Sequence, residues 1–261
     1  MISVRQVTHS SPYPAGHIKY TFEMHVTHDK IISFKIPHQK VKELVFEKVN
    51  PADQLDPKWL MTIHISTIYS IEEVQKIGNG IKDDVVDMLS LILNTKVSEM
   101  KVVGYGLTPR PGEGGIGHLI MPSPEVSATG KTGGFRLGRD DIREIQDALL
   151  KVPSLKYKPL IRLFRYAICD NHPVVQFMTL YLILYEMRKT QSEVDKYILK
   201  VAPTTPQLPS PHTGKLETIY TKLRNEITHR ANVGPKITMA EIIDNLYEFK
   251  RIVHIAMKAT L

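Results

Sequence analysis

The chain has one cysteine in 261 residues, Cys169, which excludes an intrachain disulfide and any zinc site built on several thiolates. It closes the apolar run Tyr166-Ala167-Ile168-Cys169, where a small buried side chain is expected and not a nucleophile. Long apolar runs are also missing. The most apolar stretch, Val174 to Met187, is too short to span a bilayer and carries Gln176, Thr179 and Glu186. The opening residues Met1-Ile2-Ser3-Val4-Arg5-Gln6 lack the apolar core of a secretion signal. These absences together lead to the expectation of a soluble, cytoplasmic protein with no membrane association.

Acidic side chains are in deficit. Against 34 Lys and Arg stand 27 Asp and Glu, for a net charge of +7 and a pI near 9.3. Residues 1–139 hold 16 basic and 14 acidic side chains, whereas residues 140–261 hold 18 and 13. The excess therefore sits in the C-terminal half, and its sign favours an anionic partner such as nucleic acid. Hydrophobic residues at 42% and charged residues at 23% are the proportions of a folded chain. The length corresponds to one large domain or two modest ones.

The two halves follow different periods. Ile18, Tyr20, Phe22, Met24 and Val26 alternate with mostly polar neighbours, which predicts a strand. Ile31–Ile36, Val41–Val49 and Met61–Tyr69 predict three more. Ser70-Ile71-Glu72-Glu73 is a capping box, and behind it Val74, Ile77, Ile81, Val85, Met88, Leu89 and Ile92 recur at helical spacing. Gly78 and Gly80 are expected to weaken that helix or split it. Strand-like sequence returns at 97–107, so residues 1–107 read as an α+β domain. Residues 108–139 are rich in Pro and Gly and read as a linker. Their Gly130-Lys131-Thr132 suggests a phosphate-binding loop, but the position that needs glycine is Glu125, whose charge would repel phosphate.

From Asp140 to the C-terminus the pattern predicts only helices, hence an all-α bundle over 140–261. Asp140-Asp141 starts the first helix and Pro159 the second. Val174–Arg188, apolar on most sides, is the expected central helix. Ser192 is expected to cap a short helix ending near Val201. A proline-rich loop from Pro203 to Pro211 precedes a helix from Thr213 to Arg230. The last helix follows Thr238, with Met239, Ile242, Ile243, Leu246, Phe249, Val253, Ala256 and Met257 on one face.

The stretch Leu223-Arg224-Asn225-Glu226-Ile227-Thr228-His229-Arg230 carries the chemistry. Asn225 and His229 are four apart and share a helix face. Arg224 and His229 are separated by about 140° on an undistorted helix. They converge only if the helix ends near His229 or if a second copy faces the first across a two-fold axis. Arg224 could equally pair with Glu217, with Asn225 and His229 capping the helix. A second Arg–His pair, Arg165 and His172, straddles the break at Asp170-Asn171 and Pro173.

This segment resembles the HEPN domain superfamily, helical bundles whose late helix carries an Arg, a polar residue next to it, and a His after four to six residues. The resemblance covers roughly residues 140–261. It implies a metal-independent endoribonuclease, assembled as a homodimer, of the kind found in toxin–antitoxin, abortive-infection and RNA-targeting defence systems. Arg224, Asn225 and His229 would be its catalytic residues, and a neutralising antitoxin or regulatory partner would accompany it. Some members of the superfamily are non-catalytic assembly modules. The layout, a β-rich domain ahead of such a bundle, also resembles methylamine-utilisation accessory proteins.

The chemistry needs no metal. A 2′-hydroxyl attack requires a base and an acid, roles a histidine fills near neutral pH, while a guanidinium binds the charge that develops on phosphorus. A basic cluster, Lys151, Lys156, Lys158, Arg162 and Arg165, is interleaved with Tyr157, Phe164 and Tyr166. With Lys222 and Arg230 it forms the expected RNA-binding set. His25, His28 and His64 lie in the strand region, but His25 and His28 would point to opposite faces of a strand, so no metal site and no cofactor is expected. The N-terminal domain is expected to recognise a target, partner or trigger.

Overall fold

The computed structural model describes residues 13–24, 26–27, 31–49, 58–109, 119–120, 135–210, 214–228 and 239–261. The chain divides into two units, Met1–Ser154 and Leu155–Leu261.

The first unit is built on β1 (Tyr13–Glu23), β2 (Val26–Thr27), β3 (Ile32–Phe34), β4 (Val41–Lys48) and β5 (Lys58–Ile68). A long helix, α1 (Ile71–Leu93), and strands β6 (Lys101–Leu107), β7 (Leu119–Ile120) and β8 (Phe135–Arg136) follow. Six strands form one sheet in the order β3-β4-β5-β1-β6-β7, every neighbour antiparallel. β2 and β8 form a separate short parallel pair. Alternation in sequence becomes alternation between faces. Ile18, Tyr20 and Phe22 of β1 stand opposite Ile63, Met61 and Trp59 of β5, and Leu44 and Phe46 of β4 continue the row. All are buried, while the intervening His17, Lys19, Thr21 and His64 are half-exposed. Removing each large apolar group from water contributes roughly 1.5–3 kcal/mol.

α1 covers the buried face. Its cap forms as expected at one end only: Ser70 Oγ accepts the Glu73 amide at 3.3 Å. The Glu73 carboxylate takes the amide of Tyr69, one residue before the cap, at 2.8 Å, and also pairs with Lys40. Gly78 and Gly80 do not split the helix, which runs unbroken for 23 residues. Gly78 is where helix and sheet approach closest, since a Cβ there would lie 2.7 Å from Ile18 Cγ2 and 2.6 Å from Tyr20 Oη. Packing against the sheet outweighs the intrinsic helix cost of glycine.

The expected division at 108–139 is displaced. Much of that stretch lies outside the described residues, and helix α2 (Arg139–Lys151), assigned by sequence to the bundle, packs on α1 within the first unit. Asp141 accepts the Gly138 amide at its start (2.8 Å). Gln146 on α2 makes a two-point bond with the backbone just beyond β3: its Nε2 donates to the Lys35 carbonyl and its Oε1 accepts the Lys35 amide, both at 2.8 Å. An amphipathic helix pattern specifies an apolar face, not the surface that covers it.

The second unit holds α3 (Lys158–Cys169), α4 (Pro173–Arg188), α5 (Gln191–Val201), strands β9 (Gln207–Pro209) and β10 (Leu216–Thr218), α6 (Ile219–Thr228) and α7 (Met239–Lys258). α4 is central, in contact with α3, α5, α6 and α7. Around Phe249 of α7 gather Tyr220 (4.5 Å between ring centroids), Phe177 (4.9 Å) and Tyr181 (6.2 Å). Four expectations are corrected here. The region is not wholly helical, because β9 and β10 pair antiparallel. Consequently α6 begins at Ile219 and not at Thr213. Thr190, not Ser192, caps α5, accepting the Glu193 amide at 3.2 Å. On α7, Met239 and Ile243 are exposed while Ile252 is buried; Ile243 lies about 100° round the helix from buried Ile242.

Candidate functional site

Arg224 and Asn225 lie on α6 and are both half-buried; His229 and Arg230 are outside the described residues. The local fold of α6 is set by Asp195 of α5. One carboxylate oxygen, Oδ1, accepts the Thr218 amide (3.2 Å), the Thr218 hydroxyl (2.6 Å) and the Thr221 hydroxyl (2.7 Å). Thr218 Oγ1 in turn accepts the Thr221 amide at 3.3 Å, in the manner of a helix cap. Both threonines are buried, so their polar groups need these partners. Thr221 Oγ1 also lies 3.0 Å from Tyr181 Oη. Burial pushes the Tyr181 phenol up to about 12, the Thr221 bond and the Arg224 charge opposing it only in part.

Asn225 is the hub one turn further on. Its Oδ1 accepts Nε2 of Gln191 (2.8 Å) and Nη1 of Arg224 (2.9 Å), and its Nδ2 donates to Glu217 Oε2 (3.2 Å). Glu217 is thus bonded to Asn225, and the direct Arg224–Glu217 pairing open from sequence does not appear among the salt bridges of the described residues. The Arg224 guanidinium lies 5.8 Å from the Tyr181 ring centroid. Its position is therefore held from two sides, by an amide oxygen and an aromatic face. Gln191, Asp195, Glu217 and Tyr181 belong to this network and were not among the expected site residues. Gln191 and Asn225 are 34 positions apart, and no local pattern links them.

The expected RNA-binding set is divided. Lys151 ends α2 in the first unit, whereas Lys156, Lys158, Arg162 and Arg165 belong to the second. Lys158, Arg162 and Arg165 fall at i, i+4 and i+7 of α3, one helix face. Lys151, Lys158, Arg162 and Arg165 each have intramolecular partners. Lys156 lies 5.3 Å from the ring centroid of Tyr157, and Arg165 4.8 Å from that of Tyr166. Phe164, interleaved with these cations in the sequence, is a core residue, fully buried and stacked on His254 at 5.8 Å. Lys222 pairs with Glu226 at 3.5 Å. Cys169 is half-buried at the last residue of α3.

His64 stands opposite His17 across β5 and β1; His25 and His28 lie outside the described residues. Among the described residues no three His, Cys, Asp or Glu side chains group to hold a metal ion. None of the described helices is long and apolar enough to cross a membrane. No protein-family model, curated protein or solved structure matches this chain.

Proposed function

We propose that the second unit is a HEPN-like, metal-independent endoribonuclease acting as a homodimer. The observation that carries this reading is the state of Arg224. It is half-buried, fixed by Asn225 and Tyr181, and among the described residues forms no ion pair with a carboxylate. A pre-positioned guanidinium of that kind suits a phosphate group, whose oxygens accept hydrogen bonds from its N–H fork. Asn225 acts as its orienting partner. In this reading His229 supplies the proton transfer: it removes the 2′-hydroxyl proton or protonates the departing 5′-oxygen, with a second copy contributing the complementary histidine. The products are a 2′,3′-cyclic phosphate and a 5′-hydroxyl, and DNA is inert. Cleavage of RNA inside the cell would call for a neutralising or regulatory partner.

A second reading draws on the same network. The Asn225 amide is occupied by Gln191, Arg224 and Glu217, as in a purely structural helix junction, which suits a non-catalytic assembly module. Labelled RNA incubated with the purified protein in EDTA separates the two. The nuclease reading expects cleavage that Arg224→Ala and His229→Ala abolish without loss of helicity, from a dimeric species in sedimentation. Absence of cleavage, or cleavage indifferent to His229→Ala, refutes it.

A further inference from the structure

Within the first unit a cleft of about 730 Å³ opens between the N-terminal half of α1, the turn joining β3 to β4, and the end of α2. That volume is in the range of small-molecule sites. Its apolar lining comes from Ile77, Ile81 and Val85, which recur at i, i+4 and i+8 on α1, with Leu149 and Val152 opposite. Gly80 opens on the same space. A Cβ built there meets no atom within 4 Å. Glycine in a helix interior costs about 1 kcal/mol relative to alanine. At Gly78 the sheet accounts for it, but at Gly80 nothing in the packing does. What the missing side chain leaves is room in the cleft.

The two lysines and two carboxylates at the mouth, Lys40, Lys76, Glu73 and Asp84, are not paired alike. Lys40 is held by Glu73 and lies 5.7 Å from the Tyr69 ring centroid. His38 Nδ1 accepts the Lys40 amide at 3.2 Å, which leaves Nε2 as its donor. Lys76, one turn before Gly80, is exposed and has no partner among the described residues. Asp84, one turn after Gly80, is engaged within the protein, and its carboxylate disfavours a second anion at that end. The cleft therefore combines an apolar body with an exposed lysine at one end that forms no ion pair among the described residues.

We propose that this cleft is a binding site for a small amphipathic anion, its apolar body in the space beside Gly80 and its acidic head on Lys76. The site lies wholly in the first unit and its chemistry is independent of any activity of the second.

The test uses the full chain and two probes of the same shape, 8-anilinonaphthalene-1-sulfonate and its uncharged counterpart N-phenyl-1-naphthylamine. Both should bind saturably with a fluorescence rise, and decanoate should displace them. Gly80→Leu fills open space on a helix that favours leucine, so the fold should be kept while both probes weaken roughly tenfold or more, about 1.4 kcal/mol. Lys76→Gln, at an exposed site, should weaken the sulfonate about two- to fivefold, as for a solvent-exposed ion pair, and leave the neutral probe unchanged. Lys76→Arg should restore sulfonate binding. Lack of saturable binding, binding unaffected by Gly80→Leu, or equal effects of Lys76→Gln on both probes would overturn the proposal.

Discussion

Two glycines two residues apart in α1 should respond to alanine in opposite directions. Each substitution gains about 1 kcal/mol of helix propensity. At Gly80 nothing opposes that gain, since the new methyl meets open space. At Gly78 the methyl would sit 2.6 Å from Tyr20 Oη and 2.7 Å from Ile18 Cγ2, roughly 1 Å inside a comfortable carbon contact. Ile18 is fully buried and β-branched, so its Cγ2 cannot swing aside; Tyr20 is equally buried and its hydroxyl bonds Asn79 at 3.3 Å. Overpacking of this kind costs about 1–3 kcal/mol, and disturbing the tyrosine bond adds about 1. Gly78→Ala should therefore destabilise the first unit by about 2 kcal/mol net, whereas Gly80→Ala should stabilise it by about 0.5–1 kcal/mol. For a unit of this size, that is a fall of roughly 4–8 °C in the melting midpoint against a rise of roughly 1–4 °C. The single tryptophan, Trp59, is buried on β5 and reports the first unit by fluorescence, apart from the helical signal of the second. If the two variants melt together, or if Gly78→Ala melts higher, the close helix–sheet approach is refuted.

Asp195→Ala should destabilise the second unit by about 3 kcal/mol, because three donors on Thr218 and Thr221 lose one charged acceptor. Asp195→Asn should cost less, and urea denaturation followed by circular dichroism gives the comparison. Burial works against ionisation of Glu73, but the Lys40 ammonium and the Tyr69 amide prevail and hold its carboxyl below its ordinary value of 4.5. A carboxyl with a depressed folded value stabilises above the unfolded value and loses that contribution as pH falls through the folded one. The stability advantage of the native chain over Glu73→Gln, read from urea denaturation, should be about 1 kcal/mol at pH 7 and shrink progressively below pH 4.5. A difference that is constant from pH 7 to pH 3 would remove the ion pair from the account.

Strand alternation survives into the fold because a face-buried sheet imposes the same period on every strand. Ile18, Tyr20 and Phe22 show this, as do Met61, Ile63 and Ile65. Propensity misled at Gly78, where a distant strand decides the matter. It also misled between Pro203 and Thr218, where the β9–β10 ribbon takes residues that resemble a loop and a helix start. Thr190 precedes Glu193 by three, the spacing of a capping box, but Ser192 stands at the same distance from Asp195, so spacing alone does not choose the α5 cap. At the candidate site, Arg224 and Asn225 stood out through local spacing. Glu217 was in view as a neighbour of Arg224, although it bonds Asn225 instead, whereas Gln191 and Tyr181 were not, since tertiary packing alone brings α5 and α4 to α6.

The bond between Gln146 and Lys35 bears on how copies of this chain treat one another. β3 is first in the sheet order and only three residues long. Directly after it, the peptide groups of Lys35 are taken by a side-chain amide, which offers one carbonyl and one N–H in the arrangement a neighbouring strand would present. An incoming extended segment finds a short ladder that is already occupied at its end. That margin thereby offers two fewer free backbone groups to strand addition, and Gln146→Ala should expose the Lys35 amide and carbonyl.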